Sequence, residues 1–217
     1  MPADSSRRIS PDLITYHRPD HPISKQYAAL LEQMLLGLTP GPAPVLLLTG
    51  SAPRVGTTTV LLNLAVCAAG ANRRIVAVDA NYHQPDLASL LGLEDQPGWM
   101  NVLAGNLALE QAVQQTSLRN LQVLPGDPTG ETQGIALAPD AVRWVLRWLR
   151  ERFDIVLVDG PDLKHGSDLA VLAPACDGLY LVVPQSEASL AQDRTLVQNL
   201  PRLGGRLRGL VHTHVEM

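Results

Sequence analysis

The stretch Val45-Leu-Leu-Leu-Thr-Gly-Ser-Ala-Pro-Arg-Val-Gly-Thr-Thr-Thr-Val60, continued by Leu61-Leu-Asn-Leu-Ala65, decides how this chain is read. An apolar run ends in a turn of small residues, and the turn opens into a helix. That is the layout of a phosphate-binding loop, whose pattern is G-x-x-x-x-G-K-[ST]. Gly56 lets the backbone approach a phosphate, and the helix behind it offers unpaired N–H groups with partial positive charge. Thr58 sits where a magnesium-binding hydroxyl belongs. Thr57 sits where the lysine belongs, and a threonine cannot neutralise phosphate charge. Arg54, three residues earlier, is a candidate substitute.

Two further segments belong with the loop. Ile75-Val-Ala-Val-Asp79-Ala-Asn81-Tyr-His-Gln-Pro85 ends an apolar strand in a carboxylate able to hold magnesium or orient an attacking group. Phe153-Asp-Ile-Val-Leu-Val-Asp159-Gly-Pro161 does the same, in the layout of a Walker-B strand. Either pattern alone is weak. Both, in this order after a phosphate-like loop, are fairly specific.

Outside these segments the sequence is less eventful. The chain has 217 residues, 46% of them hydrophobic, with a formal charge of -4. Its length makes one folded domain the default, and its acidity argues against nucleic acid as a partner. No apolar run reaches the roughly 20 residues of a membrane span, so direct membrane insertion is not expected. The N-terminal Met1-Pro-Ala-Asp-Ser-Ser-Arg-Arg has no apolar segment behind it, so it does not read as a signal peptide. Cys67 and Cys176 have neither metal nor redox spacing and read as free thiols in a reducing cytosol. His212 and His214 could face one side, but no further metal ligands accompany them. The two lysines, Lys25 and Lys164, both lie outside the loop. Lys164 follows Asp159 by five positions, on a segment able to reach the site.

Residues 1–20, with three prolines, are expected to form a flexible arm, followed by one domain over 21–217. Short apolar runs over 45–49, 75–79, 121–124, 155–159, 179–183 and 209–212 read as strands buried on both faces. They alternate with helices expected over 58–69, 87–91, 109–114, 140–152, 167–172 and 187–200, after a first helix over 24–38. The fold class is α/β: a doubly wound, mostly parallel sheet with helices on both faces. Residues 125–134 read as a long surface loop or a lid. Trp144, Trp148 and Leu149 are expected to pack a helix onto the core.

At this point the chain resembles a known family, the bacterial tyrosine kinases of capsule and exopolysaccharide synthesis, within the Min/Par-like P-loop ATPases. Ser51-Ala-Pro-Arg-Val-Gly-Thr-Thr-Thr59 is similar to the family's small-x-Pro-Gly-Glu-Gly-Lys-Ser-Thr loop. Asp79-Ala-Asn-Tyr-His-Gln-Pro85 resembles its Asp-Ala-Asp-x-Arg-x-Pro motif, and Val158-Asp-Gly-Pro161 its Asp-Thr-Pro-Pro motif. Gly98-Trp-Met-Asn-Val-Leu-Ala-Gly105, Leu121-Gln-Val-Leu-Pro-Gly126, Ser167-Asp168 and Asp177-Gly-Leu-Tyr-Leu-Val-Val183 fit as well. The likeness runs from about Pro22 to Val215.

The departures fall in working positions. Thr57 stands for the lysine, Arg54 for a loop glycine and Asn81 for the second motif's other aspartate. Thr213 stands where the family usually has an adenine-reading asparagine. Lys25, Ala28 and Leu31 occupy the positions of a Glu-x-x-Arg-x-x-Arg oligomerisation motif. The family's tyrosine-rich tail has no counterpart before Met217.

The resemblance therefore implies a degenerate homologue, impaired in catalysis, that serves as a regulatory or scaffold partner in exopolysaccharide or capsule synthesis. The alternatives are an active tyrosine kinase or ATPase with a variant loop, and a Min/Par-type positioning ATPase. No cofactor is certain; weak ATP or ADP with magnesium is the candidate. The nucleotide-facing residues would be Ser51, Arg54, Gly56, Thr57, Thr58, Thr59 and Thr213. Thr58, Asp79 and Asp159 would hold magnesium, and Asp79 would be catalytic if the chain is active. The expected partner is a membrane chain-length or polysaccharide co-polymerase protein, or a kinase homologue. The chain itself is expected to be a monomer or dimer in the cytoplasm, recruited to the inner membrane face by that partner.

Overall fold

Strands that are apolar at every position need cover on both faces, and that need organises this molecule. The computed structural model describes residues 8–38, 41–94, 96–127, 135–185 and 204–213. Seven strands form one sheet: β1 (Val45–Gly50), β2 (Ile75–Asp79), β3 (Gln114–Gln115), β4 (Leu121–Leu124), β5 (Ile155–Asp159), β6 (Gly178–Pro184) and β7 (Leu207–Thr213). Their order is β3-β4-β2-β5-β1-β6-β7. Only the short β3, absent from the sequence reading, runs antiparallel, beside β4. The expected α/β sheet is the one observed.

The pleat divides the strand residues between two cores. Val45, Leu47, Val76, Val78, Val156 and Val158 face one side, with Trp99, Val142, Leu146 and Leu169 packed on them. These come from α5 (Trp99–Leu103), α7 (Pro139–Arg150) and α8 (Gly166–Leu172). Leu46, Leu48, Ala77 and Leu157 face the other side, against Leu61, Leu64, Leu31 and Leu13.

That second side is two helices deep. α3 (Thr57–Gly70) buries Val60, Leu61, Leu62, Asn63, Leu64, Ala65 and Val66, nearly its whole circumference. A helix apolar all round must be enclosed. α2 (Pro22–Leu35) and α1 (Ile14–His17) cover it from outside. Asn63 accepts from the Thr15 amide at 3.0 Å and from its hydroxyl at 2.8 Å, and donates to the Asp12 and Thr59 carbonyls. The expected arm over 1–20 is therefore docked in its second half: Leu13 is fully buried.

Other expectations shift in detail. α6 spans Leu109–Ala112, and Gln114, expected to end that helix, is in β3. α4 (Leu87–Leu90) is where a helix was expected, whereas α5 was not foreseen. Trp144 does not pack on the core; it is 53% exposed. The buried stripe of α7 is Val142, Val145, Leu146 and Leu149, and Trp144 lies off that 3.6-residue period. Trp148 is held at the edge, donating to Glu110 at 3.0 Å beneath the Arg152 guanidinium. The helix expected over 187–200, most of the 125–134 loop, and His214 lie outside the described residues.

Candidate functional site

In an open parallel sheet, ligands bind beyond the carboxyl ends of the strands. The loop between β1 and α3 closes over that end. Gly56 caps α3 at φ +90°, the left-handed region that favours glycine. Arg54 also has a positive φ, +62°. The backbone there takes the shape natural to a glycine, yet carries an arginine, a conformation that costs about 1–2 kcal/mol. The loop is wound tightly on β1: a Cβ on Gly50 would lie 2.8 Å from the Ala52 carbonyl and 2.9 Å from the Thr57 hydroxyl.

The loop borders a cavity of about 600 Å³. Arg54, Gly56, Thr57, Thr58 and Thr59 line it, together with Asn81 and Lys164. Ser51 and Thr213 do not. The Ser51 amide instead donates to the Val182 carbonyl. The Thr213 hydroxyl donates to the Val55 carbonyl at 2.9 Å, tying the loop to β7. At the position where the resemblance implies an adenine reader, the side chain supports the loop.

Beneath the cavity, Asp79 and Asp159 are register partners at the ends of β2 and β5. Both are 1% exposed. The Asp79 carboxylate accepts from the Leu87 amide at 3.1 Å, and Asp159 accepts from the Thr58 hydroxyl at 2.6 Å. Burial, reinforced by the neighbouring Asp159, holds Asp79 well above the ordinary carboxylate range. Burial pushes Asp159 up to about 7, against the pull of its Thr58 hydrogen bond.

One oxygen of each carboxylate, Asp79 Oδ1 and Asp159 Oδ1, is buried with no hydrogen-bond partner. Such oxygens on adjacent strands, beside a threonine hydroxyl, form a hard donor set of the kind that holds magnesium with one or two carboxylates plus phosphate oxygens. The residues present fit that ion, which would supply the positive charge the pair lacks. Neither carboxylate is among the lining residues, so Thr58 is the donor that faces the cavity directly, with Asp159 behind its hydroxyl. Among the described residues no group of three His, Cys, Asp or Glu is arranged to hold a metal. Burial raises the Cys176 thiol to about 12, so it is no nucleophile at neutral pH.

The sequence reading missed part of the rim. His83 and His165 line the cavity and stack on one another, with ring centroids 3.9 Å apart. His83 lies inside the second motif and His165 directly after Lys164. Only the fold brings the two segments together.

These features are those of the P-loop nucleoside-triphosphatase fold, and the comparisons bear on it further. No family model matches the chain. EpsB of Ralstonia solanacearum is 29% identical over 218 residues, covering 98% of this chain and 28% of that protein. Tyrosine-protein kinase YwqD of Bacillus subtilis is 23% identical, covering 94% of this chain and 86% of that protein. The chain spans about a quarter of the length of EpsB and most of YwqD. Among solved structures, the chimerical protein CapA2B2 superposes with TM-score 0.84 at 19% identity, over 98% of this chain and 94% of that one. The kinase domain of the Escherichia coli tyrosine kinase ETK gives 0.83 at 21%, over 97% and 84%. MinD of Pyrococcus horikoshii, complexed with Mg-ADP, gives 0.64 at 25%, over 77% and 69%. The chain is similar in sequence to bacterial tyrosine-protein kinases and shares the fold of their kinase domains and of MinD.

Proposed function

We propose that this chain is a catalytically impaired member of the family, acting as a regulatory or scaffold partner in exopolysaccharide or capsule synthesis. The observation that carries this reading is Thr57. It lines the cavity where the family's lysine would meet the terminal phosphates. Removing one preorganised charge-stabilising donor costs roughly 100- to 1000-fold in rate. Asn81 in place of an aspartate deepens the loss.

Two of the four tyrosines give further support, whereas Tyr16 is exposed. Tyr180 is buried and donates to the Met34 carbonyl at 2.9 Å, and Tyr82 donates to Asp168 at 2.9 Å. Neither hydroxyl is free to accept a phosphoryl group. The oligomerisation positions are also altered: Lys25 and Ala28 are exposed, whereas Leu31 is 3% exposed and packs into its own domain. A charge-paired ring contact has lost its specifying partners, so a monomer or dimer in the cytoplasm is the proposed state. No helix among the described residues is long and apolar enough to cross a membrane. Recruitment to the inner membrane face would fall to a co-polymerase partner or a kinase homologue.

A second reading, an active ATPase or kinase with a variant loop, draws on Arg54 and Lys164, which line the same cavity as Thr58. A Min/Par-type positioning role has only the fold in its favour. One experiment separates impaired from active. Purified protein incubated with Mg-ATP is expected to show no phosphotyrosine by mass spectrometry and no phosphate release above buffer. Phosphorylation that disappears in Asp159→Ala would establish the active reading instead.

A further inference from the structure

The cavity lining is short of positive charge. Its cations, Arg54 and Lys164, are matched by Asp86 and Asp162. A phosphate chain needs a surplus, and the lysine that would give it is Thr57. Two side chains on the rim are able to gain charge: His83, after β2, and His165, in the single turn Leu163–His165 that precedes α8.

Each imidazole is fixed by a carboxylate. His83 Nε2 lies 2.9 Å from Asp168 Oδ2, and His165 Nδ1 lies 3.2 Å from Asp162 Oδ1. A carboxylate holds the ring proton on the nitrogen that faces it. The second nitrogen of each ring, His83 Nδ1 and His165 Nε2, makes no hydrogen bond among the described residues. In a neutral ring that nitrogen is a bare acceptor and repels an anion. Protonation turns it into a cationic donor at the cavity wall.

We propose that the stacked pair His83–His165 replaces the missing lysine as the charge source for a phosphate-chain ligand, and that binding this ligand takes up a proton onto the pair. The rings are 3.9 Å apart and 20° from parallel. Two imidazolium charges at that separation repel, so one proton is gained rather than two. The charged groups around the pair are of both signs. Asp168 on α8 and Asp162 before the turn hold the rings, and Asp168 also accepts from Tyr82. Lys164, Arg54 and Asp86 line the same cavity, the two cations opposing added positive charge and the carboxylate favouring it. Because the bound state holds the proton more tightly than the free state, affinity rises as pH falls. The inference rests on the cavity being a phosphate cradle and not on whether the chain turns over nucleotide.

The test is calorimetric titration of the full chain with inorganic pyrophosphate, magnesium omitted, in buffers of different ionisation enthalpy. Wild type is compared with the double variant His83→Gln/His165→Gln and with His83→Arg. Titration of pyrophosphate itself is common to all three proteins and cancels. Between about pH 8 and about pH 6, wild type is expected to gain about tenfold more affinity than the double variant, the worth of one charge-assisted contact, and to take up about one more proton. His83→Arg carries a fixed charge and should bind with a smaller pH dependence than wild type. Equal pH ratios and equal proton uptake in wild type and the double variant overturn the proposal. So does a wild type that binds no pyrophosphate at the lower pH. If the double variant fails a melting check, the flattened pH profile of His83→Arg decides alone. Phosphotyrosine formation by wild type would remove the impaired-catalysis reading and leave this result untouched.

Discussion

The floor and the rim of the site differ in kind. The floor is Thr58, Asp79 and Asp159, set by strand register and closed to water. It keeps the residue types that the resemblance leads one to expect there. The rim is Arg54, Thr57, Asn81, His83, Lys164 and His165, at strand ends and on the loops that follow. There Arg54, Thr57 and Asn81 depart from the residues that the resemblance leads one to expect. Floor positions are coupled to the packing of the sheet, so replacing them disturbs neighbours on several sides. Rim positions touch solvent and can change one at a time.

The difference is sharpest in stability. On the floor, the folded state retains a proton on Asp159 up to about pH 7, which the unfolded chain releases near 3.8. Between those values the folded state binds more protons, so unfolding free energy falls as pH rises, and the full penalty is present above about pH 7. Asp159→Asn keeps an acceptor for Thr58 and removes the charge. Without magnesium, the variant is expected to be more stable than wild type at about pH 8 by on the order of 2–4 kcal/mol, with little difference near pH 4. Urea denaturation at both pH values measures this. Equal stability at the higher pH would mean that the floor carries no uncompensated charge.

On the rim, Thr57→Lys restores a cation at the mouth of a floor that already holds Thr58 and Asp159. A gain of about tenfold in Mg-ATP affinity, or roughly 1.4 kcal/mol, is expected. Hydrolysis should stay poor because Asn81 is unchanged. A folded Thr57→Lys protein that binds ATP no better than wild type would show that the rim has closed the site and not merely lost its charge.

The smallest effect is at Arg54. Substitution by glycine relieves the left-handed strain but adds freedom to the unfolded chain. A net gain of about 0.5 kcal/mol in thermal stability is expected. The same variant tells whether the arginine serves the ligand. Pyrophosphate affinity that survives Arg54→Gly leaves the histidine pair as the main charge source, whereas a collapse in affinity assigns that role to Arg54.

Much of this was legible in the sequence, for identifiable reasons. The doubly wound sheet followed from apolar runs with no alternation, which only burial on both faces explains. The floor followed from aspartates at the ends of two such runs. The docking of α1 was missed because Leu13 and Thr15 form too short a segment to show a period. The signal was in α3, whose Val60-Leu-Leu-Asn-Leu-Ala-Val66 run is apolar on every side and has to be enclosed by something. Trp144 was misassigned because being aromatic was allowed to outweigh its position off the buried stripe. Ser51 and Thr213 match the motif by position but do not line the cavity, because a motif does not say which way a side chain is used.

By itself the sequence determined the fold class, the strand ends where chemistry would sit, and the absence of a loop lysine. Those depend on local pattern: hydrophobic periodicity, a glycine before a helix, a carboxylate closing a strand. Tertiary structure alone decided that Asp79 and Asp159 are adjacent and share a burial penalty, that Thr213 supports the loop, and that His83 and His165 meet over the cavity. These are contacts between residues 80 or more positions apart. Their energies depend on distance and on exclusion from water, and neither is written in the order of residues until the sheet has brought β2, β5 and the loops beyond them together.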